Sequence, residues 1–183
     1  MLTNVIFDDL VDQRRDTTKR AASALDLAGV CHRVVGGWAV FLHVDAVDPI
    51  LARMTPDIDL SIERNDLDAA RAAFETGGFK MEGLSFRYVD PARRRSAIHL
   101  VFLNENVQPD DLEPVPCSEP VRTPHGFLIA PVVDLVHMKL TSYRLKDQVH
   151  IQDLDRAGLI TAEIEKTLSE PLLARLLEVR SKR

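Results

Sequence analysis

The sequence predicts a mixed α/β chain, with strands and helices interleaved through residues 1–130 and helices alone from 131 to 183. Three stretches carry that reading. Residues 30–35 are rich in β-branched side chains and pass through Gly36-Gly37 straight into the apolar, helix-spaced run Trp38-Ala39-Val40-Phe41-Leu42-His43. Residues 57–63 alternate with the period of two that belongs to a strand. Beyond Pro131 the apolar residues return at helical spacing, segment after segment.

Taken in order, residues 7–27 form the first helix. Leu10, Val11, Ala21, Ala22, Leu25 and Ala28 make its apolar stripe, Asp12, Arg14, Arg15, Asp16 and Lys19 face water, and Gly29 stops it. The strand at 30–35 follows, then the glycine pair and the helix opened by Trp38. A glycine pair at such a turn allows close backbone approach to a ligand, and the following helix N-terminus offers unpaired N–H groups to a phosphate. The plainer alternative is a tight turn needing positive φ.

Residues 45–54 are a connection containing Pro49 and Arg53, and Arg53 is placed to pair with Asp57 or with a phosphate. In the strand at 57–63, Asp57 and Asp59 share one face about 6.5 Å apart along the chain. Ile58, Leu60 and Ile62 share the other face and can bury it. Two same-side acids after a Thr55-Pro56 turn suit a hard divalent cation, because Mg²⁺ takes one or two carboxylates and leaves its other positions to water and substrate phosphate. An exposed strand edge defended by acids is the competing reading.

Asp66 is placed to cap a helix running through Leu67, Ala70, Ala73 and Phe74 to Gly77-Gly78. Residues 79–81 and 84–89 read as two short strands or one hairpin, Arg93-Arg94-Arg95 as a basic turn, and residues 96–103 as a further strand containing Ile98-His99-Leu100. Residues 104–123 are polar and rich in proline, an extended crossing segment. A short strand at 126–129 precedes Pro131, which suits the first turn of a helix over 132–145. Helices at 149–157, from Thr161, and from Ser169-Glu170-Pro171 complete the chain.

The bulk properties set broad limits. At 183 residues the chain is one domain, or one domain with a small appendage, and 45% hydrophobic with 28% charged residues is enough to bury a core. A net charge of −5 argues against binding nucleic acid through overall charge, although a local basic patch would suffice. Cys31 and Cys117 lack Cys-x-x-Cys spacing and read as free thiols of a reducing compartment. With no signal-peptide pattern at the N-terminus and no apolar run near the ~20 residues that cross a bilayer, the expectation is a cytoplasmic protein. No His-Glu-x-x-His, Cys/His metal spacing or Gly-x-Ser-x-Gly elbow favours a hydrolase.

Gly36-Gly37-Trp38-Ala39 followed by Arg53-x-Thr55-x-Asp57-Ile58-Asp59-Leu60 resembles the signature of the nucleotidyltransferase superfamily. It is most similar to the minimal branch containing abortive-infection type toxins of toxin–antitoxin systems. Lys139-Leu140-Thr141-Ser142-Tyr143-Arg144-Leu145-Lys146-Asp147 is similar to the helical motif of that branch, and His150, Asp153 and Gly158-Leu159-Ile160 fit the same region. The resemblance spans residues 30–160.

The resemblance implies a nucleotidyltransferase-like α/β (α+β) fold, a small mixed sheet flanked by helices, with the helical part at 131–183 packed on the core at 1–130 as one unit. It implies transfer of a nucleoside monophosphate from a nucleoside triphosphate, with Mg²⁺ or Mn²⁺, to RNA, protein or a small molecule. Asp57 and Asp59 would hold the metal, and Gly36, Gly37, Arg53, Thr55, Lys139, Arg144 and Lys146 the nucleotide. Lys139 and Asp147 would join the acids in catalysis, with Lys139, Tyr143 and Asp147 on one face if the helix is continuous. A cognate antitoxin is the implied protein partner and transfer RNA one implied acceptor, met by Arg93, Arg94, Arg95, Arg144 and Lys146.

One position departs from the pattern. Active members carry a third acid in an apolar strand after Asp-x-Asp, and here that place holds His99. An imidazole suits Mn²⁺ or Zn²⁺ better than Mg²⁺. Three readings remain open: a working site with one or two metals, a fold that binds nucleotide or a partner without turnover, or a third oxygen supplied by Asp90 or Glu105.

Overall fold

The computed structural model describes residues 2–82, 85–88 and 97–182, so Asp90 and the basic turn Arg93-Arg94-Arg95 lie outside the described residues. Helix α1 spans Leu2–Leu27, β1 His32–Val35, α2 Gly36–Asp45 and β2 Ile58–Ile62. A single 3₁₀ turn at Arg64–Asp66 leads into α3, Leu67–Thr76, followed by β3 Phe79–Glu82, β4 Ser85–Tyr88 and β5 Ala97–Phe102. After the crossing segment come β6 Val121–Arg122, β7 Leu128–Ile129, α4 Val132–Ser142, α5 Leu145–Arg156, α6 Ala162–Glu165 and α7 Glu170–Ser181.

The described strands form one mixed sheet in the order β3-β4-β5-β2-β1-β7-β6. Its centre is β2, which pairs antiparallel with β1 and parallel with β5. Ile58, Leu60 and Ile62 of β2 and Ile98 of β5 are fully buried on one side of these strands. Burying such a side chain is worth roughly 1.5–3 kcal/mol, enough to fix which face of β2 turns inward. A slip of one residue would send Asp59 into the core, so the apolar set determines where the acid goes.

Helix α2 is the pivot between the sheet and the C-terminal helices. It packs on β1, β2, α4 and α5, and Trp38, Ala39, Val40, Phe41, Leu42 and Val44 are all buried. The Trp38 indole donates to Thr18 Oγ1 at 3.0 Å, which satisfies its N–H inside the core and ties α2 to α1. The crossing segment is held by Arg33 of β1, which donates to the carbonyls of Pro116 and Ser118 and pairs with Asp134 of α4. Asp134 in turn accepts from Ser118 N at 3.0 Å and from Ser118 Oγ at 2.5 Å.

Several expectations are corrected in detail. The helix at 132–145 ends at Ser142, because Tyr143 takes the left-handed conformation at φ 50°, and the next helix begins at Leu145 instead of 149. Lys139 and Asp147 therefore meet across a turn between two helices and not along one continuous face. Asp66 makes no side-chain capping bond to α3. Residues 79–82 and 85–88 pair as antiparallel strands, and β6, unpredicted, pairs with β7. Among the described residues no helix is long and apolar enough to cross a membrane.

Candidate active site

Asp57 and Asp59 stand at the edge of a cavity of about 600 Å³ between the sheet and the C-terminal helices. Gly36, Gly37 and Thr55 form the wall beside them, His99 another part of the sheet side, and Lys139, Arg144 and Lys146 face them from α4, α5 and the turn between. The first acid lies just before β2 and is 43% exposed at its side chain. Arg14 of α1 donates to the carbonyl of Pro56, fixing the turn that presents Asp57, and its guanidinium is close enough to attract that carboxylate.

Asp59 is seated against Gly36. A Cβ on Gly36 would fall 1.9 Å from Asp59 Oδ2, and Gly36 has φ +69°, so both space and backbone require glycine. Gly37 is also crowded, with Thr55 Oγ1 2.9 Å and His150 Cε1 3.0 Å from where its Cβ would be. The glycines thus admit a carboxylate and two side chains to the start of α2, and the phosphate reading of that turn must share the space with Asp59. Burial raises the Asp59 carboxyl above its ordinary range, a shift opposed most by the charge of Lys139 and also by that of Lys146.

Across the cavity, Lys139 is 6% exposed and donates to Asp147 Oδ1 at 2.8 Å. Asp147 is fully buried and also accepts from Ser142 Oγ and Arg144 Nε, both at 2.7 Å. Burial alone would push this carboxyl up, but Lys139, Arg144 and Ser142 outweigh it and hold it at about 2. Asp147 does not line the cavity; it lies behind Lys139 and orients it. Arg53 also lies away from the cavity wall and bonds Asp153 at 3.0 Å, where the expectation was a pairing with Asp57 or with a phosphate.

His99 sits opposite Asp59 in the register of the parallel β2/β5 pair. Its Nδ1 is 2.7 Å from Ser85 Oγ of β4, and its Nε2 is 3.8 Å from Asp57 Oδ1. Glu105, the other described candidate for a third oxygen, is exposed on the surface in a two-pronged pair with Arg64 and does not reach the cavity.

Sequence reasoning assigned no role to Thr141, His150 or Arg175, which also line the cavity. Thr141 Oγ1 and His150 Nδ1 are buried and have no hydrogen-bond partner among the described residues. Burial and the nearby Lys139 charge hold the His150 imidazole down at about 4, so it is neutral at pH 7. The sequence signal for His150 was its place in the region that resembles the helical motif, which assigned it no part in the site.

Among the described residues no three His, Cys, Asp or Glu side chains converge as a metal cage. The two carboxylates nonetheless fit a hard cation whose remaining ligands are water and phosphate oxygens, since Asp59 is seated in a cradle that only glycine leaves open.

The fold is nucleotidyltransferase-like. The chain superimposes on the solution structure of the antibiotic-resistance factor ANT(2'')-Ia with a TM-score of 0.52 at 14% identity, covering 93% of each chain. The crystal structure of ANT(2'')-Ia in complex with adenylyl-2''-tobramycin matches with a TM-score of 0.50 at 15% identity, over 93% of this chain and 98% of that one. No protein-family model matches the sequence, and no curated protein matches it.

Proposed function

We propose that the protein is a metal-dependent nucleotidyltransferase, moving a nucleoside monophosphate from a nucleoside triphosphate to an acceptor. The observation that carries this reading is the cavity itself, in which Asp57 and Asp59 face Lys139, Arg144 and Lys146 across the N-terminus of α2. In the reaction the acceptor hydroxyl oxygen bonds to the α-phosphorus and gives its proton to solvent, the bond from the α-phosphorus to the bridging oxygen breaks, and pyrophosphate leaves with that oxygen.

Asp57 and Asp59 would hold Mg²⁺ or Mn²⁺, which when bound neutralises phosphate charge and polarises the phosphoryl oxygens. Lys139, fixed by Asp147, Arg144 and Lys146 would meet the triphosphate, with charge-assisted hydrogen bonds as their means. Thr55 and Gly37 shape the mouth of the turn. Asp147 is then a positioning residue and Arg53 a support for α5. The reading needs residues 1–130 and 131–183 to work as one unit, since the cavity takes side chains from both.

The acceptor is RNA, protein or a small molecule, and the adenylylated tobramycin bound to ANT(2'')-Ia supports the last of these as the first to screen. Carried to the branch its motifs resemble, the reading makes the chain toxin-like, with an antitoxin as partner and the cytoplasm as its place of action. A second reading is favoured by one residue: with His99 opposite Asp59, the protein binds nucleotide without turnover.

Calorimetry with ATP, CTP, GTP and UTP, each with Mg²⁺ and Mn²⁺, tests both against Asp57→Asn/Asp59→Asn, with pyrophosphate followed in the same samples. The transferase reading expects metal-dependent binding lost in the double variant, together with pyrophosphate release on addition of an acceptor. Binding without release selects the second reading, and no binding by the wild type sinks both.

A further inference from the structure

Strand β5 borders the site on the side of Asp59, with which His99 is aligned. Its alternation buries Ile98, Leu100 and Phe102 and turns His99 and Val101 toward the cavity. β5 therefore presents an imidazole and an isopropyl group to the space beside Asp59, and neither supplies an oxygen. The imidazole is held on one side by Ser85 Oγ, 2.7 Å from its Nδ1, while its Nε2 faces Asp57 Oδ1 at 3.8 Å. Ser85 is aligned with His99 in the antiparallel β4/β5 register, so the ring is held by the sheet.

Among the described residues the other acids at the cavity are Asp110, Asp111 and Glu113 of the crossing segment, none of them on β2 or β5. Glu113 is bonded to His137 and Ser169, each at 2.7 Å, Asp111 accepts from the Gln108 backbone N–H at 2.8 Å, and Asp110 is exposed. Positive charge is already present, since Lys139 and Lys146 act on Asp59 and Arg14 acts on Asp57. Two divalent ions roughly 3.5–4 Å apart would need a shared set of anionic oxygens. Asp57 and Asp59 with nucleotide phosphates are the ligand set of one ion.

We infer that the site takes a single divalent cation per bound nucleotide, and that His99, held by Ser85 beside Asp57, is the residue that excludes a second. The inference rests on the nucleotide-binding reading above. It assigns His99 as a determinant of metal stoichiometry, and it makes replacement by a carboxylate a gain of one ion.

The test counts Mn²⁺ by electron paramagnetic resonance in the complex of the 183-residue chain with a non-hydrolysable nucleoside triphosphate analogue. Wild type and His99→Asn are expected to hold one Mn²⁺ per complex, and His99→Asp two. Two ions in the wild type overturn the inference, as does one ion in a His99→Asp protein that melts as a folded chain. If His99→Asp does not fold, the wild-type and His99→Asn counts decide alone. Calorimetry on the same samples separates the two levels: nucleotide binding with two ions removes this inference only, whereas no binding removes the reading beneath it.

Discussion

The Asp59–Gly36 contact and the Asp147 cluster are single-residue devices, and each makes a prediction that a point variant can check. Gly36→Ala must move Asp59 Oδ2 from 1.9 Å away and hold alanine at φ +69°. Left-handed strain of this kind costs on the order of 1–3 kcal/mol. The variant should lower the unfolding midpoint in urea and weaken metal-dependent nucleotide binding at least tenfold, and unchanged binding would show that Asp59 needs no such seat. Asp147→Asn takes from buried Lys139 the one carboxylate it bonds directly among the described residues, and breaking such a pair typically costs about 3–5 kcal/mol. Denaturation should show that loss, and the double variant Asp147→Asn/Lys139→Met should recover part of it.

The pH dependence follows from His150. Its folded-state value of about 4 lies below the ordinary 6.5, so the unfolded chain binds the proton more readily. Its contribution to stability is present above 6.5 and is lost as the pH falls through the window from 6.5 to 4. In His150→Gln the urea midpoint should fall less between pH 7 and pH 4.5 than in the wild type. Equal slopes would remove His150 from the acid limb.

At the scale of elements, the crossing segment depends on one cation. Arg33 is 3% exposed and holds two carbonyls of that segment as well as Asp134. Arg33→Leu would strand Asp134 and two carbonyls in a dry region, a cost of several kcal/mol by the usual penalty for unpaired buried polar groups. Faster amide exchange at Ser118, whose N–H bonds Asp134, is the expected local signature. The sequence signalled an extended proline-rich stretch here but not its anchor, because Arg33 and residues 116–118 are more than 80 positions apart. Hydrophobic periodicity located most strands and helices within a few residues. It misjudged the α4/α5 boundary, because Tyr143 has no backbone tendency that announces left-handed φ, and tertiary contacts hold it there: Tyr143 Oη donates to the Arg175 carbonyl at 3.3 Å.

For the whole molecule, the cavity joins β1, β2 and β5 to α4, α5 and Arg175 of α7, so its two walls come from opposite ends of the chain. Fluorescence of Trp38, the single tryptophan, and far-ultraviolet circular dichroism should then report one coincident unfolding transition. Two separated transitions would show that the C-terminal helices fold apart from the sheet.

Local pattern alone determined that Asp57 and Asp59 share a face, that Ile58, Leu60 and Ile62 back them, and that a glycine pair opens α2. These follow from periodicities of two and 3.6 and from the steric freedom of glycine, which act over a few residues. Only the tertiary structure decided that Asp59 fills the space above Gly36, that Arg53 turns to Asp153, and that Asp147 holds Lys139 from behind. It also decided that His99 faces Asp59 while Glu105 pairs with Arg64 outside. Each of those depends on strand register or helix docking between residues far apart in the chain, where no local preference can choose the partner.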